Sequence, residues 1–142
     1  MKRVAVIGAG ASGLPSIKCC LEAGFEPVCF ERSSQIGGLW NFKEQAHRGE
    51  ASVMRSTIIN TSKEMMCYSD FCIPKEFPNF MHNTKVMEYF TLYAEKFGLF
   101  KYIQFETEVV KVSWTKSKYF CFQKLLRLLY ICAFLILLLN DR

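Results

Sequence analysis

Three glycines near the amino terminus have the spacing of a dinucleotide-binding turn. Gly8, Gly10 and Gly13 form the pattern G-x-G-x-x-G directly after the apolar run at 4–7. In such a turn the first glycine permits the tight bend, and the second lets the backbone approach a pyrophosphate. The third allows the following helix to pack closely on the strand. The alternative is a glycine-rich turn between a strand and a helix that binds no ligand.

An acidic residue favours the first interpretation. Glu31 follows Gly13 by 18 residues and ends the next apolar segment. A carboxylate at this place accepts hydrogen bonds from an adenosine ribose and disfavours a phosphorylated ribose. The pyrophosphate would lie at the helix N-terminus, where free amides and the helix dipole favour negative charge. The pattern therefore predicts NAD or FAD at this site rather than NADP.

The elements that position this turn are indicated by their apolar patterns. The unbroken run at 4–7 is typical of a buried parallel strand, and 27–30 predicts a second one. Between them, residues 16–23 have helical spacing and end at Gly24. Pro15 conflicts with a helix unless it falls within the first turn, and the sequence leaves the start of the helix open.

The rest of the body predicts an α/β architecture. Residues 32–82 are irregular, and Asn83 is expected to cap a helix whose apolar stripe runs to Gly98. Residues 102–105 and 109–114 have the pattern of strands separated by a turn. The predicted fold class is α/β, a Rossmann-like βαβ unit with a parallel sheet.

Charge divides the chain near its last quarter. Residues 1–112 contain 13 Lys/Arg and 12 Asp/Glu, whereas residues 113–142 contain five and one. The nearly neutral body argues against a nucleic-acid-binding protein despite the net charge of +5. We therefore predict a partial dinucleotide-binding domain at 1–112 and a divergent basic and hydrophobic tail at 113–142.

Cysteines and histidines do not form a metal site in the sequence. The seven cysteines are scattered, without the spacing of metal ligands or of a disulfide framework, which fits a reducing compartment. His47 and His82 have no partner at ligand spacing, so both are expected to be solvated loop residues.

The tail raises the question of a membrane. Its apolar run at 128–139 has 12 residues, fewer than the roughly 17–20 needed to cross a bilayer. Basic residues upstream suit an anionic membrane surface, so membrane association and a buried helix are both open. The N-terminal apolar run is too short for a signal peptide, and none is predicted.

A second glycine pair distinguishes an FAD site from an NAD site. Gly37-Gly38-Leu39-Trp40 follows closely after Glu31, and three more motifs follow in order: INTSKEMM at 59–66, YSDF at 68–71 and FPNF at 77–80. Over roughly residues 1–112 the sequence resembles the flavin-containing monooxygenases of animals, the dimethylaniline monooxygenase family.

The resemblance implies an enzyme that binds FAD and is reduced by NADPH. In such an enzyme the reduced flavin captures dioxygen as a flavin hydroperoxide. One oxygen atom then passes to a small-molecule substrate with a soft nitrogen or sulfur atom, or with a ketone carbonyl. The resemblance also implies a place on the cytosolic face of the endoplasmic reticulum membrane.

The resemblance further implies which residues bind the cofactor. Glu31 would bind the adenosine ribose, and Leu39 and Trp40 would line the flavin. Asn60 and Thr61 would lie beside the isoalloxazine ring. Asn60 is the implied catalytic residue, since a neutral amide both donates and accepts hydrogen bonds. The implied pyrophosphate-binding residues are Gly8, Ala9, Gly10, Ala11, Ser12 and Gly13.

The sequence departs from the family pattern after Val112. It contains neither a second G-x-G-x-x-G for NADPH nor the family's F-x-G-x-x-x-H motif. We therefore expect a truncated monooxygenase that lacks NADPH-dependent oxygenase activity by itself. Two alternatives are a non-catalytic, membrane-adherent fragment that binds FAD, and a small NAD-dependent reductase. The glycine pair before Trp40 and the lack of a Tyr-x-x-x-Lys pair argue against the reductase.

Overall fold

The computed structural model describes residues 2–46, 49–112 and 136–139. Four strands and three α-helices are assigned in this part of the chain, with single 3-10 turns at Gly38–Trp40 and Phe100–Tyr102. In chain order the elements are β1 (Arg3–Ile7), α1 (Gly13–Glu22), β2 (Glu26–Phe30), α2 (Lys63–Met66), α3 (Asn83–Lys96), β3 (Ile103–Gln104) and β4 (Ile136–Leu139).

The strands form one sheet in the order β3-β2-β1-β4. β1 pairs with β2 in parallel, with Val4 opposite Pro27, and β2 pairs with β3 in parallel. The connection from β1 through α1 to β2 is the βαβ unit that the apolar pattern predicts, so the α/β prediction is confirmed.

β4 adds a feature that the sequence did not predict. It runs antiparallel to β1, with Val4 opposite Leu138, and it occupies the edge of β1 that β2 leaves open. Four residues of the apolar run at 128–139 are therefore in a strand, and the remaining eight lie outside the described residues. Within the described parts of the chain, no helix is both long and apolar enough to cross a bilayer.

The core lies between the sheet and two helices. Val4 and Val6 of β1 are buried together with Leu14 and Ile17 of α1. The stripe on α3 contributes aromatic residues, among them the fully buried Tyr89 and Tyr93. Apolar residues at helical spacing on α3 thus pack inward, as the periodicity predicts.

The start of α3 corrects two expectations. The residue that caps the helix is His82, whose Nδ1 accepts the Thr84 amide hydrogen, while its Nε2 lies 2.7 Å from the Arg55 carbonyl oxygen. Asn83 is buried instead, and its side-chain amide donates to the carbonyls of Met54 and Arg55, each at 3.0 Å. His82 is therefore half-exposed but has a structural role as the helix cap, and His47 lies outside the described residues.

The segment after α3 contains less strand than the sequence predicts. β3 is limited to Ile103–Gln104, residues 109–112 are not in a strand, and residues 113–114 are not described. Glu106 has a φ of +52°, which marks the predicted turn. Its amide and that of Thr107 donate to carbonyls just after β2, so this segment continues along the sheet without becoming a strand.

Candidate dinucleotide site

A cleft of about 520 Å³ opens where β1 and β2 end, a volume typical of small-molecule sites. It brings together the turn after β1, the end of β2, the segment around the first 3-10 turn and the segment after β3. Seven of the predicted site residues line it: Gly8, Gly10, Ala11, Ser12, Glu31, Leu39 and Trp40.

The turn after β1 has the backbone geometry that its glycines predict. Gly8 has a φ of +90°, which residues with a Cβ rarely adopt, and its amide donates to the Phe30 carbonyl at 2.9 Å. Gly13 is buried as the first residue of α1. A Cβ on Gly10 would lie 3.7 Å from the Gly38 Cα. A branched side chain at position 10 would therefore enter the space between the two glycine loops.

The turn also supplies free hydrogen-bond donors. Within the part of the chain that the structure describes, the amides of Gly10, Ala11 and Ser12 donate to no acceptor. All three residues line the cleft just before α1, whose N-terminal dipole favours an anion. Pro15 is the third residue of α1, inside the first turn, where the helix tolerates its missing amide hydrogen. The local chemistry is that of an anion-binding helix N-terminus.

Glu31 joins this turn to the end of β2. Its side chain is buried, and one carboxylate oxygen accepts the Ala9 amide hydrogen at 2.7 Å. The other oxygen accepts from the amide and the hydroxyl of Ser33, at 2.8 and 2.7 Å. A carboxylate has about four acceptor positions, so these three bonds leave room for a ligand hydroxyl. Ala9 itself is fully buried beneath the turn.

The second glycine pair packs directly on the first loop. The Gly37 amide donates to the Ala9 carbonyl at 2.9 Å. Gly37 has a φ of +100°, and a Cβ there would lie 2.2 Å from the Sδ of Met87, so position 37 requires glycine. Leu39, which is 46% exposed, and the half-buried Trp40 give the cleft an apolar surface.

Several polar residues of the cleft were not predicted from the sequence. Arg32 follows Glu31 directly, and Lys43 forms a 2.8 Å ion pair with Glu50. Thr107 reaches the cleft because its amide donates to the Glu31 carbonyl at 2.9 Å. No motif spacing relates position 107 to position 31, whereas the adjacency of Arg32 to the predicted acid was a usable signal.

Asn60, the predicted catalytic residue, and Thr61, a predicted cofactor-binding residue, are not part of the cleft lining. Asn60 is exposed, Thr61 is half-buried, and neither lines the space next to the glycine turn. The segment is anchored through the preceding residue, Ile59, which is buried and whose amide donates to the Met81 carbonyl at 2.9 Å. The catalytic role of Asn60 stays a prediction.

The Cys29 thiol, on the strand that ends at the cleft, is not reactive at neutral pH. Cys29 on β2 is fully buried, and burial, followed by the charge of Glu31, raises the pKa of its thiol to about 12. It is therefore protonated at neutral pH. Across residues 2–46, 49–112 and 136–139, no cluster of three or more His, Cys, Asp or Glu side chains is placed to hold a metal ion.

Comparison with known families now defines the class of protein. The flavin-binding monooxygenase-like family matches residues 1–122, so the chain belongs to this family, as the motifs predicted. Flavin-containing monooxygenase 5 of Oryctolagus cuniculus is 68% identical to it over 111 residues, which cover 78% of this chain and 21% of that protein. Dimethylaniline monooxygenase (N-oxide-forming) 2 of the same organism is 61% identical over the same length and coverage.

A solved structure agrees with this assignment. S-allyl-L-cysteine S-oxygenase from Allium sativum superimposes with a TM-score of 0.75 at 26% identity, over 82% of this chain and 30% of that one. The chain spans about a fifth of the length of the two curated relatives.

Proposed function

We propose that this chain is the FAD-binding part of a monooxygenase and that FAD occupies the cleft at the ends of β1 and β2. The observation that carries this proposal is the row of amides at Gly10, Ala11 and Ser12, which have no acceptor within the described residues and line the cleft. A pyrophosphate at the N-terminus of α1 supplies the missing acceptors.

The other cleft residues would bind the rest of the cofactor. Glu31 accepts a hydrogen bond from the adenosine ribose at the acceptor position that Ala9 and Ser33 leave free. Leu39 and Trp40 pack against the flavin side. Gly8 and Gly13 shape the turn without a side chain of their own. In this proposal the residues bind and orient the cofactor, and FAD when bound supplies the redox chemistry and the activation of dioxygen.

The complete reaction would need further parts. We propose that NADPH is the hydride donor and that the substrate is a small molecule with a soft nitrogen or sulfur atom or a ketone carbonyl. Within the 142 residues the sequence has a single G-x-G-x-x-G pattern, which the FAD site uses. Asn60 is exposed and Thr61 is half-buried. Both would contact the isoalloxazine ring only if a further protein surface enclosed the ring against them. By itself, this chain would bind FAD without NADPH-dependent oxygenation.

A second candidate function concerns the tail. Four basic residues precede the apolar run at 128–139, a combination that suits adhesion to an anionic membrane surface. This favours a non-catalytic, FAD-binding fragment at a membrane, in which residues 1–112 bind the cofactor and the tail at 113–142, which also supplies β4 to the sheet, contacts the membrane. Placement on the cytosolic face of the endoplasmic reticulum belongs to the same proposal.

The first test uses the purified full chain. Incubation with FAD and removal of free flavin should leave flavin absorbance in proportion to protein. Added NADPH and a simple thioether should give no sulfoxide above the free-flavin background. Loss of all flavin would contradict the FAD proposal, and sulfoxide above background would contradict the proposed lack of oxygenation.

Two further measurements separate the alternatives. Binding of NADH without flavin would favour the reductase. Co-sedimentation with vesicles containing phosphatidylserine, but not with neutral vesicles, would support the membrane candidate. An equal distribution between the two vesicle types would contradict it.

A further inference from the structure

Pro15 leaves one carbonyl of the glycine turn without its usual donor. In an α-helix, each amide donates to the carbonyl four residues earlier. On either side of Pro15 this pattern holds: the Leu14 amide donates to the Gly10 carbonyl at 3.2 Å, and the Ser16 amide donates to the Ser12 carbonyl at 3.1 Å. Proline has no amide hydrogen, so the Ala11 carbonyl receives no such bond.

Tyr68 supplies the missing donor from a distant part of the chain. Its hydroxyl donates to the Ala11 carbonyl across 57 positions of sequence. Burial raises the pKa of Tyr68, so the hydroxyl keeps its hydrogen over the pH range in which the protein works. A side chain thus replaces a backbone donor at the start of α1.

The Tyr68 ring is held in place by α3. Its centroid lies 4.5 Å from that of Tyr93 and 5.5 Å from that of Tyr89. The Tyr68 amide donates to the Tyr89 hydroxyl at 2.8 Å, and that hydroxyl donates to the Phe71 carbonyl at 2.6 Å. These contacts fix both the backbone and the ring of Tyr68.

The turn at residues 68–71, which contains Tyr68, is also linked to α1 by an ion pair. Lys18 of α1 lies 2.5 Å from a carboxylate oxygen of Asp70 and 2.8 Å from one of Glu22. Hydrogen bonds to these two carboxylates raise the pKa of Lys18, whose side chain is largely buried. Residues 68–71 therefore contact the glycine turn and α1 at two separate points.

We propose that Tyr68 is a positioning residue for the dinucleotide: its hydroxyl takes the place of the donor that Pro15 lacks and thereby orients the peptide between Ala11 and Ser12. A peptide unit is planar, so the Ala11 carbonyl and the Ser12 amide turn together. The Ser12 amide is one of the free donors that line the cleft. The inference rests on the proposed function, because it assigns those donors to a pyrophosphate.

The test is a double-mutant cycle on the full chain with Y68F and P15A. Y68F removes the hydroxyl and should raise the Kd for FAD about tenfold, equivalent to about 1.4 kcal/mol. P15A restores an amide hydrogen four residues after Ala11, so in that background Y68F should change the Kd less than about twofold. Y102F is the matched control, because Tyr102 is a half-buried tyrosine of the second 3-10 turn that does not line the cleft.

Two outcomes would overturn the proposal. One is a Kd for FAD that Y68F leaves unchanged when it is measured well below the unfolding temperature of the variant. A residue with a purely structural role would lower the unfolding temperature without changing this Kd. The other is an equal Kd increase from Y68F in both backgrounds, since the hydroxyl would then not substitute for the missing amide.

A failure of FAD binding in the unmodified chain is a different result. It would contradict the proposed function. Whether the Tyr68 hydroxyl compensates for the amide that Pro15 lacks would then be tested in the chain without ligand. The measurement is the rate of hydrogen exchange at the Ser12 amide. Y68F should increase this rate strongly when Pro15 is present and only weakly in the P15A background. Additive effects of the two substitutions on exchange would overturn the orienting role.

Discussion

The glycine turn and the Asn60 segment are built very differently, although the motifs of both are present in the sequence. Around the turn, Glu31 and Gly37 connect three loops through the buried Ala9. Asn60 is exposed, whereas the preceding residue, Ile59, is buried and its amide donates to the Met81 carbonyl. A phosphate-binding turn needs only one βαβ unit, whereas a catalytic amide needs an opposing surface.

The difference follows from which parts of the chain contact each of the two regions. The turn is stabilised by β1, α1 and β2, which are consecutive in the chain and form a parallel pair around a short helix. The 54–60 segment is held by the start of α3, where Asn83 and His82 contact its carbonyls. That arrangement fixes the segment on one side and leaves Asn60 on the other.

The largest expected effect comes from a side chain in the turn. G10V should raise the Kd for FAD at least about a hundredfold, equivalent to about 2.8 kcal/mol, because its methyl groups fill the space between Gly10 and Gly38. Fluorescence quenching of FAD measures this. A23V, on the exposed end of α1, is the control and should bind as the unmodified chain does. Equal binding by G10V would mean that the turn does not contact the cofactor.

Glu31 tests whether the turn depends on a side chain as well as on glycine. E31A leaves the buried Ala9 amide and the Ser33 amide without their acceptor and should lower the free energy of unfolding by about 2–3 kcal/mol. E31Q, which keeps one acceptor oxygen, should lose less. Urea unfolding measures both, with E76A at an exposed position as the control. A loss in E31A no greater than in E76A would contradict the role of Glu31 in joining the loops.

Deleting β4 tests whether the tail stabilises the sheet. Deleting residues 136–142 removes β4 and uncovers the edge of β1, so the free energy of unfolding should fall by about 1–2 kcal/mol, the net value of one or two backbone hydrogen bonds. Deleting residues 140–142 alone keeps the strand and is the control. An apolar tail that only promotes aggregation would give the opposite result, a more soluble and equally stable protein.

The smallest effect is expected at the exposed asparagine. N60A should change neither the Kd for FAD nor the unfolding midpoint measurably, because Asn60 neither lines the cleft nor is buried. N83A is the matched control and should lower the midpoint, since it removes a buried amide that donates to two carbonyls. A clear loss of FAD binding in N60A would show that the flavin extends to this segment in the chain as it stands.

Local pattern was enough for the first half of the fold. The apolar run of β1, the glycines and the acid after β2 lie within 31 consecutive residues, so their spacing alone predicted the βαβ unit and the positions of Gly8 and Glu31. The stripe of α3 was equally visible, because burial on one face imposes a helical period. At its start, the pattern could not show that His82 caps the helix and that Asn83 is buried.

Long-range contacts decided the rest. The pairing of Ile136–Leu139 with β1, the approach of Thr107 to Glu31 and the bond from Tyr68 to the Ala11 carbonyl join positions that no periodicity relates. Sequence spacing reports which way a side chain faces within one element, whereas a hydrogen bond between elements depends on how the elements pack. The sequence by itself therefore determined the glycine turn, and the tertiary structure decided which distant groups orient it. The Ala11 carbonyl shows why: it has no donor within α1, so its hydrogen bond depends on a side chain that the packing of the fold brings close.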